Sequence, residues 1–324
     1  MTVTIFGSLK MDYKYLFGPV PSRRLGISLG IDLVTPKICS YNCIYCECGK
    51  TTCLTVNRKE FVPAEIVIKE LDDFLSKNPK IDYITFAGSG EPTLNSGIGK
   101  IAVFLKEKYP QYKTALLTNG SLLGDNDVLN DCKDIDLVVP SLDAALEKSF
   151  FKIDRPHHSL KIDAIIDGIA KFRTNFSGKM WLEIFLVPGI NDKEEEIEAL
   201  NRAILKINPD KVQVNILDRP GTVDWIRRPD DDELKNFASK ILHSNVEITG
   251  KPADRDTIAS FSGDIKQKIL ETIKRRPCTP DDLSKILGLH QNEINKYLGY
   301  LVENNEIVES AEERGIFYKV KQKN

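Results

Sequence analysis

Cys39, Cys43 and Cys46 lie in the stretch Cys39-Ser40-Tyr41-Asn42-Cys43-Ile44-Tyr45-Cys46, a C-x3-C-x2-C spacing with an aromatic residue directly before the last cysteine. Thiolates are ligands for soft metals and for iron–sulfur clusters. Three of them can grip three irons of a four-iron, four-sulfur cluster, which leaves the fourth iron without a protein ligand and open to a small molecule. The same thiolates suit zinc, which takes four ligands in closed sites, and Cys48 and Cys53 are near enough in sequence to supply a fourth. Zinc ribbons carry matched C-x2-C pairs, and the chain has a single C-x2-C. Cys132 and Cys278 stand alone, and 7 cysteines in 324 residues do not make a secreted disulfide framework. The cluster is the first reading and zinc the second.

The elements that must position these thiols alternate along the chain. Short β-branched runs at Ser28–Val34, Tyr83–Ala87, Thr114–Thr118, Leu137–Ser141, Leu182–Val187 and Lys211–Leu217, with a last one at Val246–Thr249, read as strands. Pro63–Lys77, Asn95–Lys108, Ser159–Phe176, Lys193–Lys206 and Asp231–His243 carry apolar residues at helical spacing. Strand–helix alternation implies parallel strands with crossover helices. The expected fold class is α/β, a partial (β/α)6-type TIM barrel, with a small C-terminal winged-helix domain. No G-x-G-x-x-G follows a strand, which counts against a doubly wound nucleotide-binding sheet.

In such a barrel the working residues sit at the carboxyl ends of the strands. The cysteine loop follows the first strand, Gly88-Ser89-Gly90-Glu91-Pro92-Thr93 the second and Asn119-Gly120 the third. Ser141-Leu142-Asp143 ends the fourth, Val187–Asp192 the fifth and Asp218-Arg219-Pro220-Gly221 the sixth. Every polar or glycine-rich motif therefore falls at one end of the sheet.

Taken together, these residues resemble the radical S-adenosylmethionine (radical SAM) enzymes. The resemblance implies that Cys39, Cys43 and Cys46 bind a [4Fe-4S] cluster and that S-adenosyl-L-methionine (SAM) chelates the open iron. Tyr45 takes the place of the aromatic that packs near the adenine. Ser89-Gly90-Glu91-Pro92 stands where the family has a Gly-Gly-Glu segment that meets the methionine amino group; the first glycine is serine here, and Gly90 and Glu91 are kept. Thr118 and Asn119 match a position that reaches the ribose, and Ser141 and Asp143 one that contacts the ribose or the methionine carboxylate. The implied chemistry is reductive cleavage of SAM to methionine and a 5′-deoxyadenosyl radical, which abstracts hydrogen from a substrate. It calls for an electron donor such as flavodoxin or ferredoxin. It requires no general base, in keeping with four histidines of which His157 and His158 are adjacent, His243 and His290 lie apart, and His157 reads as a loop cap. The Gly18–Gly30 segment, with Arg23 and Arg24 as candidate anion contacts, looks like a subgroup distantly related to the tRNA wyosine-forming enzymes. The resemblance covers roughly Phe17 to Gly221.

Size and charge bound the rest. The chain is 41% hydrophobic with a formal net charge of −2, so nothing global demands a polyanionic partner. No signal peptide or membrane-length apolar run is evident, and a cytoplasmic, non-membrane location is expected. The expected domains are 1–260, the barrel, and 261–324, where two helices, a third over His290–Asn304 and a hairpin resemble a winged helix-turn-helix. From Phe261 onward 11 Lys and Arg face 10 Asp and Glu, a poor balance for phosphate-driven binding. Substrate contacts are expected from the loops Lys152–His158 and Asp218–Arg228, which include Trp225. The substrate class is a nucleic-acid base or a peptide, with RNA or peptide as partner. The competing reading is an iron–sulfur redox-sensing regulator whose winged helix binds nucleic acid. A spectator role is expected for Cys48 and Cys53.

Overall fold

The computed structural model describes residues 13–22, 24–34, 37–46, 48–217, 221–223, 225–249, 265–288, 294, 297–298, 301–302, 304–312 and 315–321. The strands are β1 (Leu16–Ser22), β2 (Gly26–Ile31), β3 (Ile38–Cys39), β4 (Cys53–Leu54), β5 (Tyr83–Phe86), β6 (Lys113–Thr118), β7 (Leu137–Pro140), β8 (Lys179–Phe185), β9 (Lys211–Asn215), β10 (Val246–Ile248), β11 (Ile307–Glu312) and β12 (Gly315–Val320). The helices are α1 (Ala64–Leu75), α2 (Ile98–Lys108), α3 (Asn126–Cys132), α4 (Glu147–Ile153), α5 (Ile162–Asn175), α6 (Glu194–Ile207), α7 (Asp231–Lys240), α8 (Ile265–Arg275) and α9 (Pro280–Leu287).

The main sheet has eight strands in the order β1-β2-β5-β6-β7-β8-β9-β10. From β2 onward every neighbour is parallel, and β1 runs antiparallel to β2. The result is a mixed α/β fold around an open parallel sheet. All seven expected strands are present. β1 was not expected, because Pro19 and Pro21 argue against a ladder. It is an edge strand, where a missing N–H costs little. The seven-residue helices α3 and α4 also escape a periodicity reading, being too short to repeat a pattern.

Side-chain alternation divides the sheet into two faces. Leu116, Val138, Met180, Leu182, Ile184, Val212 and Val214 join the helices in the large apolar core. Their neighbours Ala115, Leu137 and Val139 turn the other way and form a smaller cluster with Leu25, flanked by Leu117 and Trp181. Glu183, Gln213 and Asn215 share the sequence parity of Trp181 and lie on that second, more polar face.

Helix α5 crosses close to the loop after β6. A Cβ added at Gly168 would lie 2.9 Å from the Gly124 backbone. Ala normally outranks Gly in a helix by about 1 kcal/mol, but here backbone atoms would have to move. Gly168→Ala is expected to destabilise the protein by about 1–3 kcal/mol, read as a lower urea midpoint with an unchanged slope.

At the carboxyl-terminal end, Thr279 and Asp282 form a capping box on α9, and Gly288, at φ 65°, closes it. β11 and β12 pair as an antiparallel hairpin. Ile269, Leu283, Leu298, Leu301, Ile307 and Tyr318 pack in a cluster separate from the main core. The expected domain boundary near 260, and most of the helix expected over His290–Asn304, lie outside the described residues. From α8, Arg275 reaches the main sheet. One guanidinium nitrogen lies 3.6 Å from the Asp32 carboxylate, and the guanidinium carbon is 4.7 Å from the centroid of the Phe17 ring.

Candidate active site

A cavity of about 250 Å³ opens at the carboxyl ends of the strands, with Cys39, Cys43 and Cys46 in one wall. The loop that carries them is tied down on several sides. The amides of Asn42 and Ile44 donate to the carbonyls of Asp154 and Ile153 at 2.9 Å, and the amide of His157 donates to Ser40 O at 2.9 Å. Thr222 Oγ1 donates to the carbonyls of Cys43 and Ile44 at 3.0 Å. Thr51 Oγ1 donates to Tyr41 O at 2.7 Å. The end of α4 and the Gly221–Val223 segment therefore hold the loop from two directions, and all three thiols are free of disulfides.

Each sulfur has its own surroundings. Cys39 Sγ accepts from the Tyr41 amide and from Asn119 Nδ2, both at 3.5 Å. Burial dominates there and pushes its thiol up to about 12, against the pull of Lys37. Cys43 Sγ donates to Asp154 Oδ1 at 3.4 Å, and burial followed by that carboxylate raises it well above the usual thiol range. Cys46 goes the other way, down to about 5: the hydrogen bond with Cys48 is the largest cause, and Lys37 also favours the thiolate against burial. Lys37 Nζ donates to Cys46 Sγ at 2.7 Å. Cys48 Sγ also reaches Gly88 O at 3.5 Å. Among the described residues no three His, Cys, Asp or Glu side chains converge as a single-ion site. The three cysteines line a cavity wall instead, with N–H donors on two of the sulfurs. That arrangement fits a cluster, whose thiolate ligands stand apart on separate irons.

Against the strand leading into Cys39 lies the Gly88–Glu91 turn. A Cβ on Gly90 would sit 1.8 Å from Ile38 O, so only glycine lets this turn lie against the strand leading into Cys39. The Glu91 amide donates to that same carbonyl at 3.1 Å. The Glu91 carboxylate is 2% exposed and accepts from several donors. Oε1 takes Thr93 N at 3.0 Å, Thr93 Oγ1 at 2.6 Å and Thr118 Oγ1 at 2.7 Å. Oε2 takes the Asn119 amide at 2.7 Å. Burial raises the Glu91 carboxyl, and these donors resist the rise. Asn119 Nδ2 in turn donates to Ser40 Oγ at 2.8 Å. Glu91 is thus the joint between the second strand end, the third and the cysteine loop.

The remaining expected residues divide in two. Gly90, Glu91, Thr118, Asn119, Ser141 and Tyr45 line the cavity with the cysteines. Asp143 does not. It is buried, its Oδ1 accepts from the Phe185 amide at 2.7 Å, and its Oδ2 accepts from the Tyr45 hydroxyl. Burial raises its carboxyl to about 6. Burial, then the charge of Asp143, raises the neighbouring Asp154 further. Asp143 thus acts on the cavity through Tyr45, whose ring stacks on Phe185 at 3.9 Å and 9°.

Lys37 and Glu183 were not foreseen from the sequence, and Asp154, inside the expected substrate loop Lys152–His158, instead accepts a hydrogen bond from Cys43. Glu183 lies in the cavity wall in an ion pair with Arg24, and Asn215 Nδ2 and Ser141 Oγ donate to it at 3.3 and 3.4 Å. A carboxylate inside the apolar run Met180-Trp181-Leu182-Glu183-Ile184-Phe185 was the available signal. Arg24 meets this carboxylate within the cavity, and Arg23 lies outside the described residues. Of the expected substrate loops, Trp225 is 58% exposed, while residues 218–220 and 224 are not described. His157 closes a turn through Ser159 Oγ at 2.8 Å and its own carbonyl, as a loop cap does.

Comparisons with known proteins bear on the family and the fold. A family model described as the Radical SAM superfamily matches residues 33–200. The UPF0026 protein MJ1312 of Methanocaldococcus jannaschii is 32% identical over 93% of this chain and 94% of its own length. A Brachyspira hyodysenteriae protein named GTPase Obg is 34% identical over 96% of this chain; the chain spans 46% of that protein's length. Among solved structures, a radical SAM methyltransferase from Sphaerobacter thermophilus superposes with a TM-score of 0.52 at 16% identity, covering 70% of this chain and 67% of its own.

Proposed function

Because the chain belongs to the radical SAM superfamily, whose members use a [4Fe-4S] cluster and SAM, we propose that Cys39, Cys43 and Cys46 hold three irons of that cluster and that the facing cavity wall receives SAM. The observation that carries the reading is the shared cavity. The three free thiols stand in one wall, and the ends of four successive parallel strands supply Gly90, Glu91, Thr118, Asn119, Ser141 and Glu183 to the others. When bound, cluster and SAM supply one-electron cleavage to methionine and a 5′-deoxyadenosyl radical that takes a hydrogen atom from the substrate.

The chain's own residues orient and exclude. Gly90 permits the close approach of its turn to the cysteine strand. Asn119 and the Tyr41 amide aim donors at Cys39. Tyr45, held by Asp143 and stacked on Phe185, offers a flat apolar face suited to the adenine. Leu117 and Val139 add apolar surface to the lining. Ligation requires the thiolate form, so Cys43 gives up the proton it shares with Asp154.

We assign the substrate to a nucleic-acid base or a peptide, in keeping with the proposed distant kinship to tRNA wyosine-forming enzymes. The carboxyl-terminal helices and hairpin are read as a winged helix-turn-helix domain over 261–324 that presents the substrate or a partner. A flavodoxin or ferredoxin would be the electron source in a reducing cytoplasm. Among the described residues no helix is long and apolar enough to cross a membrane.

The test is anaerobic reconstitution with iron and sulfide, followed by SAM and dithionite. Release of 5′-deoxyadenosine, measured by chromatography, is expected even without substrate. A colourless protein that holds zinc and leaves SAM intact would refute the reading. A protein that binds the cluster and DNA but never cleaves SAM would favour the sensor alternative.

A further inference from the structure

We propose that Lys37 is a positioning residue for the iron–sulfur site: its buried ammonium clamps Cys46 and lends the site a fixed positive charge that eases reduction. This rests on the cluster reading above and goes beyond it, since Lys37 lies outside the cysteine motif.

The observations are geometric. Lys37 is 8% exposed, yet its side chain is a cation that burial should disfavour. Its Nζ stands 2.7 Å from Cys46 Sγ and its side chain lines the cavity with the three cysteines. Its backbone adopts φ 65°, a strained conformation unusual for a residue with a side chain. The surroundings hold it there. Lys37 O accepts from the Thr52 amide at 3.1 Å, the Cys53 amide at 3.4 Å and Thr52 Oγ1 at 3.2 Å. The next residue, Ile38, pairs with Cys53 across the short β3–β4 ladder. Chain strain and burial are thus both tolerated at one residue whose ammonium ends on a thiol that the cluster needs.

The physical consequence follows from charge. Adding an electron to a cluster makes it more negative, and a nearby cation stabilises that state. Hydrogen bonds to the sulfurs and net local charge are the protein's main means of setting cluster potentials. Lys37 supplies both. Its partner Cys46 is the last of the three cysteines and neighbours Tyr45, so loss of the clamp should also loosen the aromatic that faces SAM.

The experiment compares holoprotein carrying native Lys37 with Lys37→Met and Lys37→Arg, each reconstituted anaerobically. The midpoint potential is measured by EPR-monitored redox titration, and iron and sulfide content by chemical assay. Lys37→Met, which keeps length without charge, is expected to bring a more negative potential. SAM cleavage driven by a flavodoxin should fall about 10–100-fold, the usual range for the loss of such a supporting contact, and recover in part with a stronger reductant. Lys37→Arg should keep the native potential. If Lys37→Met fails to assemble a cluster, Lys37→Arg decides: assembly at the native potential supports the charge role, and failure of both overturns it. An unchanged potential in a cluster-loaded Lys37→Met protein also overturns it. A native protein without a [4Fe-4S] signal would instead sink the underlying cluster reading.

Discussion

Cys43→Ala is expected to lose SAM cleavage altogether, with 5′-deoxyadenosine falling to background and the brown cluster absorbance lost or unstable after reconstitution. Cys43 is the central thiol of the three and is held by backbone contacts on either side, from Asn42 and Ile44 to the end of α4. With it gone, two thiolates of the motif remain for a cluster that needs three. Asp154, the partner of Cys43, is a hard oxygen ligand whose Oδ1 lies 3.4 Å from the sulfur, a poor substitute for a thiolate on iron. Structure should suffer little. The loop keeps its anchors through Thr222, Thr51 and His157. A far-UV spectrum and urea midpoint near those of the native apoprotein, with all cleavage gone, is the expected pattern. Retention of more than a trace of cleavage would show that Cys43 is not a ligand.

Glu91→Gln should produce a different signature, a loss of both stability and site. The Glu91 carboxylate accepts from four donors, and an amide can accept through only one of its two ends. Whichever way the glutamine turns, its NH2 group faces a donor. Hydrogen bonds to a charged acceptor contribute about 1.5–3 kcal/mol each, and a buried donor left unmatched costs about 1–3 kcal/mol. The Thr93 and Thr118 hydroxyls can rotate to relieve part of this, whereas the Thr93 and Asn119 amides cannot. The net expectation is about 2–4 kcal/mol lost, a large share of a domain stability of about 5–15 kcal/mol. Because Asn119 links Glu91 to Ser40 and Cys39, cluster content and SAM affinity should fall with it. Equilibrium urea unfolding of the apoprotein and SAM binding to the reconstituted protein measure the two effects. A variant that loses SAM affinity at native stability would make Glu91 a direct cofactor contact rather than the joint described here.

How far the sequence could be read depended on what each residue does. Parallel strands buried on both faces read as near-continuous apolar runs, so β2 and β5 to β10 were legible to within a few residues. β1 was hidden by its prolines, which only an edge position tolerates. The cavity wall was legible where a motif fell at a strand end, as at Gly90, Glu91 and Ser141. Motifs give positions and not directions, however. Asp143 turns inward to hold Tyr45, and Thr118 spends its hydroxyl on Glu91 rather than facing a ligand alone. Lys37 and Glu183 belong to no spacing rule. They meet Cys46 and Arg24 because a left-handed residue and the second, more polar face of the sheet bring them there, and both depend on the tertiary fold.

The central claim is that one iron of a three-cysteine cluster is left for SAM. EPR spectra of the dithionite-reduced, reconstituted protein test it directly when recorded with and without SAM. A [4Fe-4S]+ signal is expected whose g values change on adding SAM and do not change on adding S-adenosyl groups that lack the methionine amine and carboxylate. A reduced cluster whose spectrum ignores SAM, together with loss of that cluster when a fourth residue such as Cys48 is replaced, would contradict it.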